Sequence, residues 1–590
     1  MDTSVFQNPP HSYRVFPMQH HLPKNRALFM QALKDYGFGG VVTNVPFGNG
    51  FTQNPENISR FGEILSELEE NKLSYWIYDE QGYPSGFGGG LVLKDHPELE
   101  AKGFYMRRRV AYEPRHITFQ IDEETDKIIW AAKYPLHIER IDDGFPIYEK
   151  MEPVPFTDTF CQCDLKEREV FFVFCVKSAY EGSHCTHNVS SFSRYINVME
   201  PAAVRRFIDL CFEPIHQALP DAYANSLGVF TDEPSLQVGY ARHYESWPYA
   251  LAPWKEGLFE DFYEEYGFDL RPFLPLLFEG GKEAWPIRVC FYELVGKLIA
   301  KAFSGQLQAW CQERGCHFSG HYLSEESMTS HVKDYGNYVT VLRAAGYPGI
   351  DVLDCLPQYY NYNTAKFAQM AVRKNQTNGM MVEICPFHHM DEFKKDPVGN
   401  MTAVMGLLYI GGVRKTNSYF SADYSAYAPE FQGMKGYLTQ SDAVAFNEYV
   451  GRLGYMLDGL SNSCGVFIYY GIEDVQAKLR PEHSTLPRQK ADEATYRLSK
   501  AVCDAGFDFY YADRDDLLEA AKTGKITGHE VDIILVPSLS VMHGDAVAAL
   551  SALQQQGIPV LFLDETPSYA LTGRTLTNAQ NEFRASSLDE

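Results

Sequence analysis

The sequence has no excess of positive charge: 52 Lys and Arg stand against 77 Asp and Glu, a formal net charge of −25. Nucleic acid and anionic membrane surfaces both require a basic face, so neither is an expected partner. No apolar run approaches the roughly 18 residues of a membrane span. Residues 1–20, with Pro9, Pro10 and two histidines, have no apolar core of the kind a signal peptide needs, so a cytoplasmic protein is expected. A G-x-x-x-x-G-K-[ST] phosphate loop is missing. The glycine-rich stretch Gly82 to Gly90 fails the dinucleotide fingerprint because its third glycine position holds Leu91. The twelve cysteines, spread from Cys161 to Cys503, offer one close pair, Cys161 and Cys163. Reduced, buried thiols are expected rather than a disulfide framework or a zinc site.

What remains is an ordinary globular balance in 590 residues, with 45% hydrophobic and 22% charged residues, enough to bury a large core and too apolar for disorder. Aromatic content is high at 14%. The chain reads as α/β. Short β-branched or aromatic runs alternate with helical patterns at Phe38 to Val45, Leu73 to Asp79, Leu227 to Asp232, Cys316 to Leu323, Gly349 to Leu353, Met380 to Cys385, Gly412 to Ser418 and Gly465 to Tyr470. Eight such strands, most followed by helices, predict a (β/α)8 TIM barrel over residues 1–482, with a doubly wound sheet as the alternative. Residues 102–197 are β-rich with frequent turns and read as an inserted antiparallel β subdomain. After the polar stretch Arg480 to Lys490, residues 483–590 read as a small doubly wound parallel α/β domain ending in a polar tail from Asn578.

A barrel carries its chemistry at the C-terminal ends of its strands. Carboxylates recur there: Asp79 and Glu80 after the second strand, Asp232 and Glu233 after the third, Glu325 and Glu326 after the fourth, Asp351 and Asp354 at the fifth, and Glu383 in the sixth. Two opposed carboxylates are the minimal apparatus for cleaving an acetal, one protonating the leaving oxygen and the other attacking or activating water. Asp232-Glu233-Pro234 could also simply cap a helix. Glu383 sits among apolar neighbours, where a buried charge is costly without a task. Glu325 and Glu326 cannot both be central. One reads as a supporting or ion-coordinating group and the other as a helix-start residue. His321 and Tyr322 read as substrate contacts or core. Arg414 and Lys415, read as ending the seventh strand, would meet substrate hydroxyls or neutralise the acidic rim. The vicinal pair His388-His389 is a poor chelator of one ion. Tyr359, Tyr360 and Tyr362, then Tyr419, Phe420, Tyr424 and Tyr427, place aromatic faces in strand-end loops, where they suit the C–H faces of sugars.

The ordered set Tyr78-Asp79-Glu80-Gln81-Gly82-Tyr83-Pro84-Ser85-Gly86, Phe230-Thr231-Asp232-Glu233-Pro234, Gly320-His321-Tyr322-Leu323 and Glu325-Glu326-Ser327, followed by Gly349-Ile350-Asp351 and Glu383, resembles glycoside hydrolase family 106, typified by α-L-rhamnosidases. The resemblance spans roughly residues 10 to 480. It implies a catalytic barrel that cleaves a terminal sugar with inversion, and a calcium ion near that sugar. It further implies Glu233 as general acid, Glu383 as the base activating water, and Glu326 as a supporting or ion-binding group, with Glu325 the expected metal ligand. A small carbohydrate or glycoside is thus the expected partner, with a homo-oligomer left open. A catalytically silent carbohydrate-binding barrel and a retaining, β-galactosidase-like enzyme are the alternatives. The segment Phe16-Pro17-Met18-Gln19-His20-His21 departs from the aromatic, Trp-rich segment that family members often have near the first strand, and the C-terminal β-sandwiches often found in the family have no counterpart. The C-terminal unit resembles the amidotransferase-like domain of some barrel β-galactosidases, without a nucleophile-elbow cysteine after Val531 to Pro537.

Overall fold

The computed structural model describes residues 2–121, 126–138, 144–179, 194–236, 250–419, 422–481, 489–579 and 583–586. Eight short parallel strands organise its larger part. Numbered along the chain, they are β1 (Phe16–Pro17), β2 (Gly40–Thr43), β3 (Ser74–Tyr78), β4 (Val229–Asp232), β5 (Phe318–His321), β6 (Gly349–Val352), β7 (Met380–Ile384) and β8 (Val413–Ser418). They form two four-stranded parallel sheets, β2-β3-β4-β5 and β6-β7-β8-β1. A parallel bridge from Met18 to Val42 links β1 to β2. On the other side, the Tyr347 N–H donates to the Phe318 carbonyl (3.1 Å), where β5 meets the approach to β6.

The strands are buried on both faces, which is why they read as continuous apolar runs rather than alternating ones. Helices on the outside supply the second layer. Pro55–Glu70 is representative: Asn54 caps it by accepting from the Glu56 N–H, Pro55 sits where no N–H is needed, and Phe61, Ile64, Leu65 and Leu68 turn one stripe inward. The long helical stretch expected from Pro286 to Arg314 forms as Trp285–Ile299 and Gly305–Glu313, joined by a π-turn at Ala300–Ser304.

Two expectations about strand membership change. The expected eighth strand forms as Val466–Tyr469, but it pairs with Tyr510–Ala512 and Ile533–Val536, so its sheet straddles the expected boundary at 482/483. Its place among the eight is taken by β1, whose two residues carry no strand signal of their own. The C-terminal sheet continues through Val560–Leu563 to Ala585–Ser586, all parallel, so part of the expected tail is an edge strand. The region 102–197 is antiparallel as expected. Glu169–Ser178 runs between Lys102–Ala111 and Lys127–Ile138, and Ala252–Trp254 joins from beyond the expected limit. All eleven described cysteines are free thiols. Among the described residues no helix is long and apolar enough to cross a membrane.

Candidate active site

Register brings the acidic strand ends together. Asp232 of β4 lies beside His321 of β5, and Asp351 of β6 beside Glu383 of β7. The His321 imidazole reaches over β6: its Nε2 lies 2.7 Å from Glu383 Oε2 and 3.5 Å from Asp232 Oδ1. Glu233 follows β4 in the left-handed region (φ 49°), unusual for a side chain other than glycine and common at functional sites. Its N–H donates to the His321 carbonyl. Glu233, His321 and Asp351 each bring a ligand-type atom within 4.8 Å of the others.

Charge states follow from burial and neighbours. Burial pushes the Glu233 carboxyl up to about 8, helped by Asp232, Glu383 and Glu326 and opposed by His321. Burial likewise raises Asp232 to about 6, with His321 and the Tyr78 hydroxyl (2.9 Å) working to keep it ionised. Asp351 is raised well above its ordinary range by burial, by Glu383 and by Glu233. Burial disfavours the His321 imidazolium, but Glu383, Asp351 and Asp232 outweigh that and raise it well above the usual histidine range. At neutral pH the cluster therefore contains a protonated Glu233 and a His321 imidazolium hydrogen-bonded to Glu383. A carboxyl group held protonated beside a second one paired to an imidazolium suits acid–base catalysis.

Other expected site residues have different work. Glu80 is fully buried, and its carboxylate accepts the backbone N–H groups of Gln81 (2.7 Å), Gly86 (3.2 Å), Gly88 (2.6 Å) and Gly89 (2.7 Å). It folds the glycine-rich loop and has no face left for a sugar. Asp79 lies beneath the site: it accepts from the Ser85 hydroxyl, which in turn accepts from the Asp232 N–H. Both Glu325 oxygens are taken by N–H groups, of Tyr322 and of Asp351 (2.7 Å each), so it ties β5 to β6. Tyr322 turns away from the site; its hydroxyl meets Ser304 in the π-turn. Arg414 is at the opposite end of the molecule's strands. β8 continues to Ser418, and the Arg414 guanidinium is consumed by the carbonyls of Tyr409, Val413, Leu457 and Leu460. Lys415 likewise donates to the Ser12 carbonyl.

Glu326 shares a hollow with Asp351. Of the expected aromatics, Tyr359 and Tyr419 are exposed at this rim, whereas Tyr360 and Tyr424 are core and Tyr427 packs on Phe431 with its hydroxyl on Asp35. Phe420 lies outside the described residues. Tyr78 and His20 both lie in stretches singled out from the sequence, but no site role was read for either. The His20 ring lies against Tyr78 (4.8 Å between centroids) and Phe47 (5.2 Å), with Nδ1 3.0 Å from Asn44 Oδ1. Burial lowers its pKa, so it is neutral. The family resemblance set the Phe16 to His21 segment near the first strand, but nothing in the pattern of residues gave His20 a role there.

Calcium takes six to eight oxygen ligands. The Glu233, His321 and Asp351 trio offers two oxygens and a nitrogen rather than an all-oxygen shell, and both Glu325 oxygens already accept backbone N–H groups. These residues do not fit the calcium ion implied by the family resemblance.

No protein-family model and no curated protein matches the sequence. Solved structures do. A rhamnosidase from Novosphingobium sp. PP1Y aligns over 96% of this chain and 70% of its own, at 11% identity and a TM-score of 0.57. A cold-adapted β-galactosidase from Rahnella sp. R3 aligns over 95% and 72%, at 10% identity and a TM-score of 0.52. A GH42 β-galactosidase from G. stearothermophilus aligns over 93% and 71%, at 9% identity and a TM-score of 0.54. The chain has the fold of these glycosidases.

Proposed function

We propose that the eight parallel strands close into a (β/α)8 barrel and that the protein is a glycoside hydrolase removing a terminal sugar, with an α-L-rhamnoside the leading candidate. The observation that carries the reading is that Glu233 and Glu383, from the ends of β4 and β7, both lie against His321. Glu233 is held protonated by burial and by surrounding carboxylates, while Glu383 is held by the His321 imidazolium. In this reading Glu233 gives its proton to the glycosidic oxygen as the bond to the anomeric carbon breaks. Glu383 takes a proton from the attacking water, and the sugar leaves with inverted configuration. His321 keeps Glu383 oriented, and Asp232, anchored by Tyr78, balances the imidazolium charge. The carbohydrate-active fold shared with the rhamnosidase and both β-galactosidases supports this choice of substrate class.

The test is proton NMR of freshly released product from a panel of aryl glycosides that includes α-L-rhamnoside and β-D-galactoside, run alongside Glu233→Gln and Glu383→Gln. The expected outcome is an inverted anomer, and a loss of about 10²- to 10⁴-fold in kcat/KM for each variant. Full activity in both variants removes this site from the chemistry. A retained anomer would instead reassign Glu383 from base to nucleophile.

A further inference from the structure

Beside the acidic cluster, the loops after β6 and β7 are fastened into one raised platform. The Leu353 carbonyl accepts the N–H groups of both Phe387 (3.1 Å) and His388 (3.3 Å). Asp354 holds His389 Nδ1 at 3.0 Å and lies 3.5 Å from His388 Nδ1. The Tyr359 ring stacks on His389, with centroids 4.1 Å apart and planes 16° from parallel. The platform still presents its aromatic rings to solvent: Tyr359 is 46% exposed and Phe387 70%. It is continuous with the site, because Asp351 and Glu326 line the same hollow as Asp354 and Tyr359.

Two large rings held outward by a fixed network are an expensive way to build a surface unless something covers them. Their surroundings narrow what that is. A purely apolar occupant would strip water from Asp354 and the two imidazoles, which pair with one another through Nδ1 but stay partly exposed, and covering their remaining polar edges is costly. A pyranose satisfies both halves: its C–H face packs on Tyr359 or Phe387, and its equatorial hydroxyls reach the carboxylate and imidazoles at the edge. We infer that this platform binds the second sugar ring of the substrate, on the leaving-group side, and so directs the enzyme to the ends of oligosaccharides rather than to simple aryl glycosides. The inference rests on the hydrolase reading above.

The experiment compares kcat/KM for a disaccharide and for the p-nitrophenyl glycoside of the same terminal sugar, in the unaltered protein and in Tyr359→Ala and Phe387→Ala. Loss of a stacked ring should cost roughly tenfold or more on the disaccharide. The same change should cost less than about threefold on the nitrophenyl glycoside, whose leaving group carries no hydroxyls for Asp354 and the imidazoles to read. Asp354→Asn, which frees the histidines, should show the same selectivity. Equal losses on both substrates, or none on either, overturn the platform while leaving the hydrolase reading intact. A larger loss on the nitrophenyl glycoside assigns the rings to an aryl aglycone and also overturns it. An unaltered protein inactive on every glycoside overturns the hydrolase reading, and the platform with it.

Discussion

At the scale of single residues, the protein separates carboxylates that share a sequence signature but not a role. Asp79, Glu80, Glu325 and Glu233 all follow apolar strands closely, and nothing in their spacing tells them apart. The distinction is made by what fills their hydrogen-bonding capacity: four loop N–H groups at Glu80 and two at Glu325, against neighbouring charges at Glu233. A proton donor with a carboxyl near 8 sets a clear pH expectation. Glu233 is in its working, protonated form below that value, so kcat should fall as pH rises through about 8. His321 holds the Glu233 value down, so removing its charge must push that value up. His321→Gln should therefore move the alkaline limb of the kcat profile to higher pH while lowering its plateau, since Glu383 loses its cationic partner. A limb that stays in place, or moves to lower pH, would show that another group sets it.

At the scale of elements, the seven longer strands were legible because each is an apolar run ended by turn residues. Periodicity names a strand but not its neighbour. Val466–Tyr469 has the same signature as β7, and its hydrogen bonds alone assign it to the C-terminal sheet. The reverse case is β1, where two residues including a proline have no periodicity to detect; only the family resemblance set that segment near a first strand, and it gave His20 no role. The acidic strand ends of β4, β6 and β7 were readable because a barrel predicts where to look, whereas Tyr78 stood only as the first residue of a motif, and its role shows in the hydroxyl it donates to Asp232. The loop after β3 makes a test of this scale. Its backbone N–H groups converge on one carboxylate, and Glu80→Gln replaces one acceptor oxygen with a donor facing other donors. Losing those bonds in a buried site should cost about 1–3 kcal/mol, lower the melting temperature and speed amide exchange at Gly86, Gly88 and Gly89. Unchanged exchange there would mean that the loop is held by its backbone alone.

At the scale of the whole molecule, the negative excess of 25 charges coexists with carboxylates buried where ionisation is penalised. Burial raises Glu80 to about 7, and Glu233 and Glu325 to about 8, against 4.5 for a free glutamate. As pH rises from 4.5, the unfolded chain gives up these protons first. The stability they confer is complete below the unfolded value and is lost as pH climbs through each folded value, at about 1.4 kcal/mol per pH unit for each group in that interval. His321, raised by its carboxylate neighbours, acts in the same direction above the ordinary histidine value. His331, pushed down to about 4 by burial, opposes them only below pH 6.5, where the unfolded chain would protonate it. The window from pH 6.5 to 8.5 is therefore one-sided. Denaturant midpoints should decline across it, and unfolding at pH 7.5 should release protons to the buffer. Constant midpoints, or proton uptake, would mean that these carboxyls ionise in the folded protein as freely as in water, and Glu233 would then have no proton to give at neutral pH.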